Sequence, residues 1–400
     1  MAKTLARELH RQYAASPQRL LEDLSEALRR GRAGEPGGIT PQEFSIRDLA
    51  AWFLMADGQP IGHDGLAMLE SGVPLSESSA VSSSAFAAVT QRIVTAQVLE
   101  GYAIPEAVLS RTIPTTTVRS RDPRVANFTL PLAGDKSLEY GEGVEKPLVE
   151  MQAEYVRPKK LTKVGPRLAI TRETILFDET GQVLDAARRI GEFLALQKEQ
   201  MLVDTVTGMV SGCVIEKRRT DSSEVTSDLF LTSGRWVNSL AANPFADWTD
   251  IDDIENTLLT NTLPGTSLPP MLMQRFILAP PQLRSRVLRT VTATETRSGS
   301  SNVVVAGNPL AGLGLTPIIS PLVYSQQKKA GVDDATASGT WFYGDIARAF
   351  RWLEVWPLEV REVRDDRTNV VYDIEVEFVA SCYGGPVVVE PRIWGRSLPS

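Results

Sequence analysis

The chain is 400 residues long, 42% apolar and 23% charged, with a formal net charge of -7. That length suits two to three domains, or one elaborate domain with extensions, and holds enough apolar residues for a sizeable core. The acidic balance excludes a protein whose main task is gripping nucleic acid, though not a wall that encloses it.

Cys213 and Cys382 are the two cysteines and match no metal-ligand spacing, so no disulfide framework is expected and a reducing compartment fits. The N-terminus lacks the apolar core of a signal peptide. No window approaches the roughly 18 apolar residues that span a bilayer. The expectation is a soluble protein, made inside the cell, with no membrane partner.

Residues 1–33 read as helical, with Leu5, Leu9, Leu20, Leu21, Leu24 and Leu28 near helical spacing and Pro17 opening a second helix. Residues 31–38 form a glycine-rich linker. Thr40 is placed to cap a helix over 41–55. Ser84, ending a serine-rich stretch, is placed to cap another over 85–101, with Phe86, Val89, Ile93 and Val94 inward.

From residue 113 to 167 the character changes. Strands are expected over 125–132, 149–157 and 161–170, around a polar, turn-rich stretch at 134–147. This reads as a long two-stranded excursion. Residues 135–154 carry six acids against two lysines, and residues 155–172 carry six bases and no acid. Folded as a hairpin, an acidic arm lies beside a basic arm. Two readings stand equally. One is a solvated hairpin with cross-strand charge pairs worth about 0.2–1 kcal/mol each. The other is a charged arm reaching over a neighbouring subunit, with Asp135, Lys136, Glu139, Glu142, Glu145, Lys146, Arg157, Lys159, Lys160 and Lys163 as its contact residues.

The clearest helix covers 182–207, with Val183, Ala187, Ile190, Leu194 and Met201 in one stripe and Gly208 as its stop. At 1.5 Å per residue it spans about 39 Å. A polar stretch with one hairpin follows at 213–245. Then come a helix over 250–263, a buried strand at 275–278, a helix over 282–291 opened by Pro280-Pro281, and a strand at 318–322. The last part is strand-rich: 340–343, 351–355, 358–363 and 371–381, then a turn at 380–385 and a final strand at 387–391.

Motifs of catalysis are missing. There is no GxSxG, Gly134-Asp135-Lys136-Ser137 lacks the glycine before lysine of a phosphate loop, and Gly141-Glu142-Gly143 does not continue to GxGxxG. The two histidines, His10 and His63, lie in the N-terminal segment away from other ligands. Asp250, Asp252 and Asp253 sit where a helix begins and read as caps rather than a metal site. Trp341, Trp352, Trp356 and Trp394 read as core or interface anchors; Glu354, Glu359 and Glu362 beside them argue against stacking on nucleic acid. No catalytic, cofactor or metal site is expected.

The order of elements resembles the tailed-bacteriophage major capsid protein family, whose fold encapsulins share. The resemblance is carried by Leu168-Ala169-Ile170-Thr171-Arg172-Glu173, by the helix at 182–207, and by Phe276-Ile277-Leu278-Ala279-Pro280-Pro281. Thr316-Pro317-Ile318-Ile319-Ser320, Trp341-Phe342-Tyr343-Gly344-Asp345 and residues 372–391 complete it.

It implies an α+β fold with an N-terminal helical arm (1–112), an extended β-hairpin loop (113–167), a peripheral domain with the spine helix (168–245 and 339–400) and an axial domain (246–338). It further implies a homo-oligomeric icosahedral phage head of pentamers and hexamers around double-stranded DNA, without sequence-specific binding or catalysis. The particle would assemble in the host cytoplasm and reside in the virion, with scaffold, portal or cement proteins as further partners. Some family members crosslink a lysine to an asparagine; Lys136 and Lys146 are the lysines such chemistry would use here. An encapsulin-like compartment around a cargo enzyme is the alternative, though encapsulins usually lack so long an arm. A soluble enzyme with a carboxylate-based site is the second alternative.

Overall fold

The computed structural model describes residues 17–36, 38–46, 49–50, 80–104, 107–120, 122–126, 142, 154–177, 179–218, 221–264, 268–293, 295–298, 304–363 and 374–399. In chain order the elements begin with α1 (Pro17–Ala33), α2 (Ala80–Tyr102), α3 (Leu109–Thr112), β1 (Thr115–Thr117), β2 (Val125–Ala126), β3 (Tyr155–Arg157), β4 (Thr162–Val164) and β5 (Arg167–Thr171). There follow α4 (Arg172–Leu176), α5 (Thr180–Val206), β6 (Val214–Lys217), β7 (Val225–Ser227), β8 (Ser239–Leu240), α6 (Trp248–Leu259) and β9 (Phe276–Ala279). Next are α7 (Arg284–Thr292), β10 (Glu295–Ser298), β11 (Val304–Gly307), β12 (Thr316–Ile319), α8 (Pro321–Lys329) and α9 (Asp334–Gly339). The chain closes with β13 (Trp341–Gly344), α10 (Ile346–Ala349), β14 (Phe350–Val363), β15 (Ile374–Val388) and β16 (Trp394–Ser397).

Two compact units emerge, each collecting three segments of the chain. The first comprises residues 1–105, 163–197 and 356–383. Its core joins Leu24 and Leu28 of α1 with Phe86, Val89, Ile93 and Val98 of α2, Val183, Ala187 and Leu194 of α5, and Val376 and Phe378 of β15. The α2 and α5 backbones touch. A Cβ on Gly101 would lie 2.1 Å from the Arg188 carbonyl oxygen, and one on Gly191 would lie 2.1 Å from that of Val98. Only glycine permits this approach. Here β5 pairs antiparallel with β15, Leu168 opposite Phe378.

The second unit comprises residues 106–162, 198–355 and 384–400. Its centre is a five-stranded sheet in the order β12-β9-β13-β16-β8. Every residue of β9 (FILA) and β13 (WFYG) is buried. The period of two explains why such unbroken apolar runs are needed. Phe276, Leu278 and Phe342 enter one core with Leu202, Val206 and Trp394, while Ile277, Ala279, Trp341 and Tyr343 enter another with Ile251, Ile254 and Leu258 of α6. Tryptophan N–H groups are satisfied inside these cores: Trp341 donates to the Asn243 carbonyl and Trp394 to that of Val206, both at 3.0 Å.

Several elements depart from expectation. Residues 41–43 form a single 3₁₀ turn where a helix over 41–55 was expected; residues 51–79 lie outside the described residues, as do 1–16. The strands expected at 351–355 and 358–363 are one 14-residue strand, β14, through the exposed Pro357. The turn expected at 380–385 is absent: β15 runs for 15 residues through Gly384-Gly385. A Cβ on Gly384 would lie 2.7 Å from the Leu353 carbonyl and 2.8 Å from Trp352 Nε1, so the glycine serves close strand packing and not a reversal. The long helix α5 has 27 residues, and Gly208 follows it at φ 72°.

Candidate assembly surfaces

The excursion leaves from one sheet. In the order β2-β3-β6-β7, Val125 pairs with Val156 and Ala126 with Tyr155, and β3 pairs in turn with β6, all antiparallel. Val125 and Val156 are buried against Leu353, Val387 and Val389. The sheet is therefore half-buried, as valine alternation requires. Ala126 and Tyr155 are opposite one another, so the intervening chain departs from and returns to one point.

Charge fixes the same sheet from two sides. On its outer face Arg157 makes a two-pronged contact with Glu224, at 2.7 and 2.6 Å. That hydrogen bonding holds the Glu224 carboxyl below the usual carboxylate range and raises Arg157. Beneath, Arg218 donates to Glu216 at 2.6 Å and to the Val389 carbonyl at 3.0 Å, while Arg392 donates to Glu390 at 2.7 Å. Arg235 reaches the same Glu216 at 3.4 Å.

The ten residues expected to make contacts separate into three groups. Asp135, Lys136, Glu139, Glu145 and Lys146 lie outside the described residues. Glu142 is exposed in a turn. Arg157, Lys159, Lys160 and Lys163 lie at the root of the excursion or just past it. Arg157 is half-buried on Glu224, and Lys159 donates to the Ser211 carbonyl. Lys160 is exposed. The Lys163 ammonium sits 4.9 Å from the Trp356 ring centre and 5.2 Å from that of Tyr383.

Of the acidic arm, residues 135–141 and 143–153 lie outside the described residues; two bases of the basic segment have other partners. Arg157 takes Glu224 from the β6–β7 side. β4 and β5 both lie against β15, and Arg167 pairs with Glu377 of β15 at 3.2 Å.

Sequence reasoning missed the exposed apolar side chains. Met271 is 74% exposed and Met273 72%, with Leu268 at 47%. Their loop is held from below. The fully buried Asp345 carboxylate accepts from the backbone N–H groups of Met273 and Gln274 at 3.2 and 3.1 Å, and Arg348 donates to the Met271 carbonyl at 3.0 Å. On α5, Phe193 is 54% and Leu196 43% exposed. The signal available was the run Leu268-Pro269-Pro270-Met271-Leu272-Met273, apolar yet too proline-rich for a strand interior.

Among the described residues, several groups able to do chemistry are engaged in structure. Asp247 caps α6 and Asp250 closes a capping box with it, so of the three carboxylates read as caps Asp250 serves one, while Asp252 and Asp253 lie further into the helix. Burial pushes the Cys213 thiol up to about 11. Among the described residues no three His, Cys, Asp or Glu side chains gather as metal ligands, and no helix is long and apolar enough to cross a membrane.

A family model described as "Phage capsid protein" matches residues 154–394, more than half of the chain. The chain belongs to the phage capsid protein family. It is accordingly a structural subunit of a phage head, and its place is the virion capsid. Among curated proteins no sequence matches. Similar solved structures include Gordonia phage Cozz, at 16% identity and a TM-score of 0.42, covering 73% of this chain and 86% of that one. The capsid of the native GTA particle gives 13% and 0.43, over 74% and 90%. The holo-SrpI encapsulin complex from Synechococcus elongatus gives 13% and 0.41, over 74% and 88%. The phage capsid assignment rests on the family match, which begins at Glu154 where the excursion returns.

Proposed function

We propose that this chain is the repeating subunit of an icosahedral phage head, assembled from pentamers and hexamers around double-stranded DNA, and that the excursion between Ala126 and Glu154 reaches over a neighbouring copy. The observation that carries the second part is the rooting of residues 127–153 on one antiparallel strand pair, Val125-Ala126 with Tyr155-Val156. A connection this long between neighbouring strands marks a function or a partner. In this reading residues 1–112 are an arm, 168–245 and 339–400 the peripheral domain, and 246–338 the axial domain. The subunit works by contact and without catalysis. Scaffold, portal or cement proteins would join it in a particle assembled in the host cytoplasm.

Negative-stain microscopy of the protein expressed alone tests this reading. Megadalton particles or capsomers are expected; a clean monomer at high concentration would overturn it. Deleting residues 135–146 should abolish assembly while leaving the circular dichroism of the fold intact.

A further inference from the structure

The helix α7 carries three arginines, Arg284, Arg286 and Arg289, and no acid. Its buried side is set by Val287 and by Leu283 just before it, which enter the core holding Ile251, Ile254 and Leu258 of α6. A turn of about 100° per residue leaves Arg284, Ser285, Arg286, Arg289 and Thr292 on the outward side, and all five are exposed. None of the three guanidinium groups is neutralised. Arg286 gives one donor to the Phe245 carbonyl oxygen at 3.4 Å, which leaves four donors and the full charge. Among the described residues no carboxylate pairs with any of the three, whereas Arg275 is taken by Glu255. Asp247 and Asp250, at the start of α6, accept from N–H groups of their own turn.

What such a face binds follows from what else it carries. Val287 is buried and Leu288 and Val291 are half-buried, so no apolar side chain stands exposed among the arginines. A protein partner is held mainly by apolar and aromatic anchors, which this face does not offer. The helix has no aromatic residue on which an unpaired base could stack. Arginine presents a planar fork that matches phosphate oxygens two at a time. The exposed Ser285 hydroxyl adds a further donor of the kind that phosphates accept from. Contact with a nucleic-acid backbone, independent of sequence, needs no more than this.

We infer that the arginine face of α7 binds the phosphate backbone of duplex DNA without reading its sequence. The inference rests on the reading of a shell that encloses such DNA, and names the surface that meets it. On this inference α7 faces the inside of the particle. The acidic balance of the chain as a whole keeps the contact local.

The test uses the full-length protein kept unassembled, so that the face is reachable, and a short fluorescent duplex of mixed sequence. Anisotropy across a salt series gives the affinity and its salt slope. Arg284→Gln with Arg286→Gln and Arg289→Gln should weaken binding about tenfold or more at low salt. It should also make the slope of log K against log salt shallower by about 2.7, the share of three phosphate contacts. Replacing the same three by lysine keeps the charge and should keep most of the slope. Arg361→Gln, at an exposed arginine elsewhere, should change neither quantity. Equal binding by the glutamine variant and the parent, or no binding by the parent at low salt, overturns the inference. If polyglutamate binds the parent more tightly than the duplex does, and the glutamine variant loses this, the partner is an acidic protein segment and the assignment to DNA is wrong. Microscopy separates this inference from the reading beneath it. The glutamine variant should still form particles. A variant that folds by circular dichroism but no longer assembles would place α7 between copies and overturn the inference. If the parent forms no particles, the shell reading itself fails. If the parent forms particles and the glutamine variant binds duplex normally, only the role of α7 fails.

Discussion

Glu216 and Arg218 meet at 2.6 Å with side chains 1% and 0% exposed. Arg218 also reaches Glu390 at 3.4 Å, and Arg392 binds Glu390 from the other side. Burying such charges costs more than a surface pair returns, so the group is stable only when complete. Arg218→Ala leaves Glu216 buried without its closest partner. It should lower stability by about 3–5 kcal/mol, whereas Glu216→Leu with Arg218→Met should lie much nearer the parent. Chemical denaturation of the three proteins measures this; equal losses would show that the pairing matters little.

The close contact between α2 and α5 gives a steric prediction. Gly191→Ala places a methyl 2.1 Å from the Val98 carbonyl oxygen, and the nearest atoms it meets are all backbone of α2. The helices must separate, at a cost of about 1–3 kcal/mol or more. Gly181→Ala is the control, since nothing lies within 4 Å of its Cβ. Alanine suits a helix better than glycine, so the control should melt at the same or a higher temperature.

Glu255 supplies a pH dependence. Burial pushes its carboxyl upward, but hydrogen bonds from Arg275, at 2.8 Å, and from the Tyr343 hydroxyl outweigh it and hold the group below its usual value. A carboxyl depressed in the folded state adds stability above its unfolded pKa of about 4.3, and loses it as pH falls through the folded value. Glu255→Gln should therefore melt lower than the parent at pH 6, and the gap should close toward pH 3. A constant gap would locate the effect in packing.

Cys213 is buried and its thiol raised to about 11, mainly by desolvation. Thiolate is the reactive form, so alkylation at pH 8 should be slow in the native protein and fast in denaturant. Mass mapping of iodoacetamide adducts distinguishes it from Cys382, which is half-buried. Rapid native labelling of Cys213 would mean that its core opens readily.

Much of this molecule was readable from residue pattern. The stripe Val183, Ala187 and Leu194 gave α5 nearly to its ends, because a helix buries one face at a fixed spacing. The run FILA is two-sidedly buried for the reason such runs usually are. Asp250 as a cap followed from its place before an apolar repeat. What failed was partner choice. Nothing local in Arg157 points to Glu224, 67 residues away, and nothing local in Gly384 distinguishes a turn from a strand pressed against Trp352. Both depend on neighbours brought in by sheet pairing. The exposure of Phe193 was hidden similarly: it lies just beside the buried stripe, and only the packed structure shows that it is open.

The loop bearing Met271 and Met273 is fastened through backbone atoms to Asp345 and Arg348, while both methionines are largely exposed. Peroxide would convert these sulfurs to polar sulfoxides without touching a fastening bond. Ageing or oxidant exposure would thus change the chemistry of this surface while its shape stayed fixed. Reductase treatment would reverse the change, giving a means of varying its stickiness without mutation.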